Sequence, residues 1–379
     1  MAASMTALMI HIESMQTAVP IRITGTGRTL PVAVSGGAAP LTAASLQRRF
    51  RAVLYYRGAG GVEQEERAAW VKESLSASLA EHPEMAGRLR CRDDDGGRRP
   101  WEVRLNDNGV RLVQASVDMP MAAFLEAKDL ARREAALALW TDVDVHEPEF
   151  CAPFFMQLTR FQDGGYAIGA SCSLLLADPL SLVDFLKAWA RTHAEMLRAR
   201  SKPVAVAPPA VIQYARYLQS PGAVVRRLKS VPLDACSAAA TTVLFRADAA
   251  AAAVAGAQVD RHALAAACVD QAVETLGGNA KKPPRLTVLA ADGSGELGVR
   301  ACGYGDREEK TMTAPPSRGH HALRAAYWGD LGLGEIALDG SEPVHVSCTV
   351  VSPCADEGLV VVMAPAGGGE LLISVTVPN

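Results

Sequence analysis

The sequence predicts an α/β (α+β) chain of two domains, each a mixed sheet with flanking helices, and three observations predict it. Strand-like apolar runs alternate with amphipathic helical patterns in both halves. Turn signals join neighbouring strands as hairpins, which argues against a doubly wound parallel sheet. Finally, 379 residues with 49% hydrophobic content make about twice the length of an ordinary domain. Residues 201–236, with Pro203, Pro208, Pro209, Pro221 and Pro232 and little periodicity, read as the crossover linker between an N-terminal domain, 1–200, and a C-terminal domain, 237–379.

Each element has its own reason. Residues 52–56 are aromatic and apolar enough to suit a strand. In the next segment Val71, Leu75 and Leu79 recur every four residues while Lys72, Glu73 and Glu81 take the other face, so a helix is expected to run to His82-Pro83, where proline stops it. Trp101–Leu105 and Gly109–Val113 read as a hairpin about Asn106-Asp107-Asn108-Gly109, residues that tolerate positive φ. The Ala/Glu/Arg stretch 120–139 is helical by propensity.

Residues 155–161 and 166–173 form a second hairpin around Gln162-Asp163-Gly164-Gly165. After Pro179 another amphipathic helix carries Leu182, Phe185, Leu186, Trp189, His193 and Leu197 on one side, which makes His193 a core-edge residue and not a ligand. Beyond the linker the reading is a strand at 242–246, two Ala-rich helices within 248–276, and strands at 286–290, 297–303, 344–351, 358–363 and 371–377. No fixed-period repeat appears.

Composition excludes several classes. A net charge of -3 and a pI near 6.3 give no field to attract nucleic acid or an anionic membrane surface. The clusters Arg48-Arg49-Phe50-Arg51 and Arg226-Arg227-Leu228-Lys229, and the run Asp306-Arg307-Glu308-Glu309-Lys310, read as solvated surface. Eight cysteines without a C-x-x-C pair read as reduced, buried thiols. With no convincing leader, no N-x-[ST] sequon and no apolar run near the roughly 20 residues that span a bilayer, a cytoplasmic chain without a membrane span is expected. His320-His321 lacks further ligands at metal spacing, so no metal site is expected. Gly293-Ser294-Gly295-Glu296-Leu297-Gly298 matches G-x-G-x-x-G, but a strand follows, so a hairpin loop is expected in place of a phosphate cradle.

Several segments, in order, resemble the plant acyl-CoA-dependent acyltransferases of the BAHD (HXXXD-type) family. Trp70-Val71-Lys72-Glu73-Ser74-Leu75-Ser76 through His82-Pro83-Glu84-Met85-Ala86-Gly87-Arg88-Leu89 keeps the spacing of that family's "LKxSLSxxLxxxxPxAGRL" segment. Leu158–Phe161, Gly164–Gly169 and Phe185–Ala190 resemble the pieces around its S-x-H-H-x-x-x-D-G signature, which aligns with Ser171-Cys172-Ser173-Leu174-Leu175-Leu176-Ala177-Asp178-Pro179. The second signature, D-F-G-W-G, aligns with Asp330-Leu331-Gly332-Leu333-Gly334, and Glu357–Met363 and Gly369–Val375 resemble the last two strands.

The resemblance implies two chloramphenicol-acetyltransferase-like domains with a channel between them. It implies acyl-CoA as co-substrate, no permanently bound cofactor and a monomer. The catalytic histidine falls on Leu174 and the histidine before it on Ser173, while Asp178, Asp330, Gly332 and Gly334 keep structural roles, the acids paired with arginines. Leucine offers no lone pair, and losing a general base forfeits roughly 10²–10⁴ in rate. Acyl transfer to a hydroxyl or amine is therefore expected to be weak or lost. The alternative is a non-catalytic accessory protein of very-long-chain fatty acid or cuticular wax metabolism, with a fatty-acid elongase component as partner. Cys172 or Ser173 as a replacement nucleophile is disfavoured, because no histidine stands close in sequence.

Overall fold

Apolar alternation resolves into two mixed sheets flanked by helices. The structure, a computed structural model, describes residues 9–25, 27–35, 41–58, 64–92, 101–201, 229–232, 240–248, 261–277, 283–291, 297–303, 323–354, 356–365 and 369–378. The strands are β1 (Met9–Ala18), β2 (Thr29–Ser35), β3 (Arg49–Tyr56), β4 (Arg88–Cys91), β5 (Trp101–Arg104), β6 (Val110–Val117), β7 (Phe154–Phe161), β8 (Tyr166–Ser173), β9 (Lys229–Pro232), β10 (Ala240–Asp248), β11 (Arg285–Ala291), β12 (Leu297–Gly303), β13 (Arg324–Ala326), β14 (His345–Val351), β15 (Glu357–Met363) and β16 (Glu370–Pro378). The helices are α1 (Ala43–Leu46), α2 (Gln64–Glu81), α3 (Met121–Leu125), α4 (Leu130–Arg133), α5 (Pro179–Ser201) and α6 (Arg261–Leu276). Among the described residues no helix is long and apolar enough to cross a membrane.

The first sheet runs β14-β3-β8-β7-β6-β1-β9, antiparallel except for β6 beside β7. The second runs β13-β10-β16-β15-β11-β12-β2-β5-β4, with β11 parallel to β15 and β12 parallel to β2. Each sheet takes strands from both halves of the sequence. β14 joins the first beside β3, and β2, β4 and β5 join the second.

Period-2 patterning assigns the faces. Val360 and Val362 of β15 pack with Leu264, Cys268 and Val269 of α6, whereas Leu359, Val361 and Met363 join the main core with Leu75 and Leu79 of α2 and Trp189 of α5. The opposite face of the first sheet is covered by residues 121–138, where Phe124 and Leu137 meet Val53, Tyr55 and Phe161.

Three sequence expectations need correction. The hairpin at 101–113 does not form, because β5 pairs with β2 and β4 in the second sheet while β6 pairs with β1 and β7 in the first. Its turn keeps the expected positive φ at Asp107 (54°) and Gly109 (73°), but carries the chain between sheets. Buried Arg88 holds it there, donating to the carbonyls of Gly109 (2.8 Å) and Asn108 (3.0 Å). The long helix at 120–139 breaks into α3, α4 and a 3-10 turn, Glu134–Leu137. Its backbone is drawn onto the first sheet instead, with Gln157 donating to Ala136 O and Ser171 to Ala138 O. The Arg48–Arg51 cluster is not solvated surface, since Arg48 is only 3% exposed and paired with Glu357. Most of the linker, the first of the two Ala-rich helices, Arg226–Leu228, Asp306–Lys310, His320-His321 and residues 293–296 lie outside the described residues. β11 and β12, which flank 293–296, are antiparallel, as the hairpin reading expects.

Candidate active-site cavity

The aligned signature lies where β8 gives way to α5. The amides of Leu176 (3.0 Å) and Ala177 (3.1 Å) both donate to Ser173 O, and Leu174 N donates to Arg48 O at 3.1 Å, fixing a tight turn at the strand end. Ser173 is fully buried and its hydroxyl accepts from Leu175 N at 3.2 Å. Asp178 closes the turn by accepting from Ser181 N at 2.8 Å, the position of a helix N-cap for α5.

Leu174 lines a cavity of about 490 Å³. The signature turn supplies Leu174, Leu176, Ala177 and Asp178; α5 supplies Ser181, Asp184, Phe185, Ala188 and Arg191; and the second sheet closes the far wall with Leu30, Ala291 and Leu297. The remaining wall is the corner after α2, with His82, Glu84 and Met85. His82 Nδ1 stands 3.3 Å from Glu84 Oε1, and its ring meets the Phe185 ring edge-on at 5.5 Å between centroids. Sequence reasoning gave His82 only the role of a helix stop. The available signal was an imidazole and a carboxylate two residues apart at a proline corner.

The other predicted residues divide. Burial raises the pKa of Asp178, the Ser181 hydrogen bond opposing it and Asp184 adding to it. Among the described residues Asp178 has no arginine partner, contrary to expectation, and its capping role explains why an acid stands there. Asp330 does have one: it accepts from Tyr327 N at 3.2 Å and pairs with Arg246 at 3.2 Å, and these two contacts lower its pKa. Gly332 adopts φ 72°, and a Cβ there would meet Lys187 Nζ at 2.6 Å, whereas Gly334 has open space. Leu331 and Leu333, at the aromatic positions of the second signature, are buried in the main core. None of residues 330–334 lines the cavity.

Cys172 is fully buried and burial pushes its thiol pKa up, so neither it nor Ser173 is placed to attack a substrate. His193 is buried as expected, but in a polar chain that the sequence did not reveal. Its Nδ1 lies 2.9 Å from Ser74 Oγ and its Nε2 3.5 Å from Asp339, which also takes Arg67 at 2.8 Å. Ser74 is fully buried, so this Ser-His-Asp arrangement ties α2, α5 and residue 339 together beyond the reach of a substrate. Among the described residues no group of three or more His, Cys, Asp or Glu could hold a metal ion.

Residues 44–212 match the family model described as the Transferase family. Tryptamine hydroxycinnamoyltransferase 2 of Oryza sativa subsp. japonica is 36% identical over 140 residues, 37% of this chain and 29% of that protein. Over this stretch the chain is similar to acyltransferases of the BAHD family. A second relative, Protein ECERIFERUM 2 of Arabidopsis thaliana, is 29% identical over 185 residues, 47% of this chain and 42% of that protein. The aligned stretch thus spans less than half the length of either curated relative. The crystal structure of vinorine synthase superposes with a TM-score of 0.48 at 17% identity, over 98% of this chain and 95% of that one.

Proposed function

We propose that this chain is an acyltransferase-family protein whose cavity takes an acyl-CoA thioester and a hydroxyl or amine acceptor, with transfer weak or lost because Leu174 stands at the catalytic histidine position and Ser173 at the one before it. One observation carries the reading. The side chain at position 174 of the signature turn lines the cavity and is aliphatic. An acceptor O–H or N–H must lose its proton as it attacks the thioester carbon, and methyl groups cannot take it. What the cavity retains is the capacity to hold two reactants together, which by itself contributes several kcal/mol. Relatives named for tryptamine, putrescine and agmatine support an amine among the acceptors.

Asp178, as the cap of α5, and Asp330, as the partner of Arg246, are assigned structural roles with Gly332 and Gly334. The division into 1–200, a crossover at 201–236 and 237–379, a monomeric state and a cytoplasmic location belong to the same proposal. A second reading, an accessory protein that binds acyl groups without turnover, is favoured by the missing base together with alignment to two ECERIFERUM proteins.

The test is release of free CoA thiol from hydroxycinnamoyl-, benzoyl-, malonyl- and long-chain acyl-CoAs with hydroxyl and amine acceptors, beside a histidine-bearing relative. Turnover roughly 10²–10⁴ below the relative supports transfer without the signature base. Turnover equal to the relative's contradicts the role assigned to Leu174, and thioester binding without release supports the accessory reading.

A further inference from the structure

We propose that His82, oriented by Glu84, is the proton acceptor that remains in this cavity and supports its residual acyl transfer. The inference rests on the acyl-transfer reading and adds the residue that does the work. His82 and Leu174 line the same cavity from different walls, the first from the corner after α2 and the second from the end of β8. Among the described residues the cavity's other ionisable side chains are Glu84, Asp178, Asp184 and Arg191. Arginine stays protonated and has no lone pair to offer, and carboxylates are weaker bases than imidazole.

The geometry supports a defined tautomer. With Nδ1 donating its hydrogen to Glu84 Oε1 across 3.3 Å, the lone pair lies on Nε2. The ring is braced by the edge-on Phe185, and its backbone is fixed on both sides, His82 N donating to Ser78 O at 3.0 Å and His82 O accepting from Met85 N at 3.1 Å. The side chain is 36% exposed, so a substrate in the cavity can reach it.

In the step assigned to it, Nε2 takes the proton of the acceptor hydroxyl or amine while the acceptor lone pair bonds to the thioester carbonyl carbon. The tetrahedral adduct collapses with cleavage of the C–S bond, and the departing CoA thiolate recovers the proton from the imidazolium. Proton and charge balance over the cycle, and Glu84 stabilises the imidazolium while it lasts.

The experiment uses the full chain with hydroxycinnamoyl-CoA and an amine acceptor, comparing His82→Gln, Glu84→Gln and Leu174→His. His82→Gln is expected to lower kcat about 100-fold or more, with the KM for the thioester within about threefold and partial recovery on adding free imidazole. Glu84→Gln, the positioning residue, is expected to lower kcat about tenfold without imidazole recovery. His82→Gln turning over like the parent overturns the inference. So does a loss that imidazole does not relieve and that accompanies a lowered melting temperature. A parent that releases no thiol overturns it too, and turnover gained in Leu174→His would then leave the reading of the cavity standing, whereas silence in both would remove that reading as well.

Discussion

Arg48 and Glu357 meet at 2.7 Å between the two sheets, with side chains 3% and 19% exposed. Arg48 directly precedes β3, and its carbonyl receives the amide of Leu174, while Glu357 opens β15 and also accepts from the Thr287 hydroxyl. One ion pair therefore joins the strand beside the signature turn to the opposite sheet. Removing one partner leaves the other charge buried and unpaired, so Arg48→Met or Glu357→Gln is expected to cost about 3–5 kcal/mol in chemical denaturation. A loss under about 1 kcal/mol, the value typical of exposed pairs, would show that the pair does not hold the sheets together.

Asp339 gives the fold an acid-sensitive point. Burial works to raise its pKa, but hydrogen bonds from His193 and Arg67 outweigh burial and hold it at about 2. A depressed folded-state pKa contributes stability that is present above the ordinary carboxylate range near 4 and is lost as pH falls towards 2. A shift of about two units corresponds to roughly 2–3 kcal/mol. Asp339→Asn is expected to lose about that much at pH 7 and to flatten the stability curve between about pH 4 and 2. An unchanged acid limb in the variant would refute the assignment.

Gly109 lies where the chain leaves one sheet for the other. Its φ is 73°, and an added Cβ would collide with the carbonyl of Ala18 in β1. Gly109→Ala is expected to destabilise by about 1–3 kcal/mol, with Gly164→Ala, at φ 82° in open space, losing less. Denaturation midpoints of the two variants decide it, and equal losses would show that the close approach contributes nothing beyond backbone strain.

Cys172 and Cys268 are both fully buried, and burial pushes their thiols up, Cys268 to about 12. Neither is expected to react with a disulfide reagent in the folded protein within minutes, and both should react on unfolding. Rapid native labelling at either position, read by mass spectrometry, would contradict the packing.

The sequence revealed what local patterning controls. Leu75 and Leu79 marked the buried stripe of α2, Phe185 and Trp189 that of α5, and Asp163-Gly164 the turn of the β7–β8 hairpin. It failed where the partner is remote. Asn108-Gly109 signals a reversal equally well whether the next strand returns to its own sheet or enters another, and only Arg88 and Ala18, distant in sequence, decide between them. The Ala-rich stretch after Pro120 has helical propensity, but Gln157 and Ser171 compete for its carbonyls and win. Of the residues that line the cavity, Leu174 and Asp178 were marked by a linear signature. His82 was not, because only the packing of the α2 corner against Phe185 brings it to the same cavity.

Restoring an imidazole to the signature turn is the most direct test of the claim that Leu174 interrupts the chemistry. Thiol release by Leu174→His, with Leu174→Ala as a control for the space created, is expected to rise by about 10²-fold over the parent while Leu174→Ala stays at the parental level. Equal rates in all three proteins would contradict the assignment of position 174 as the missing base.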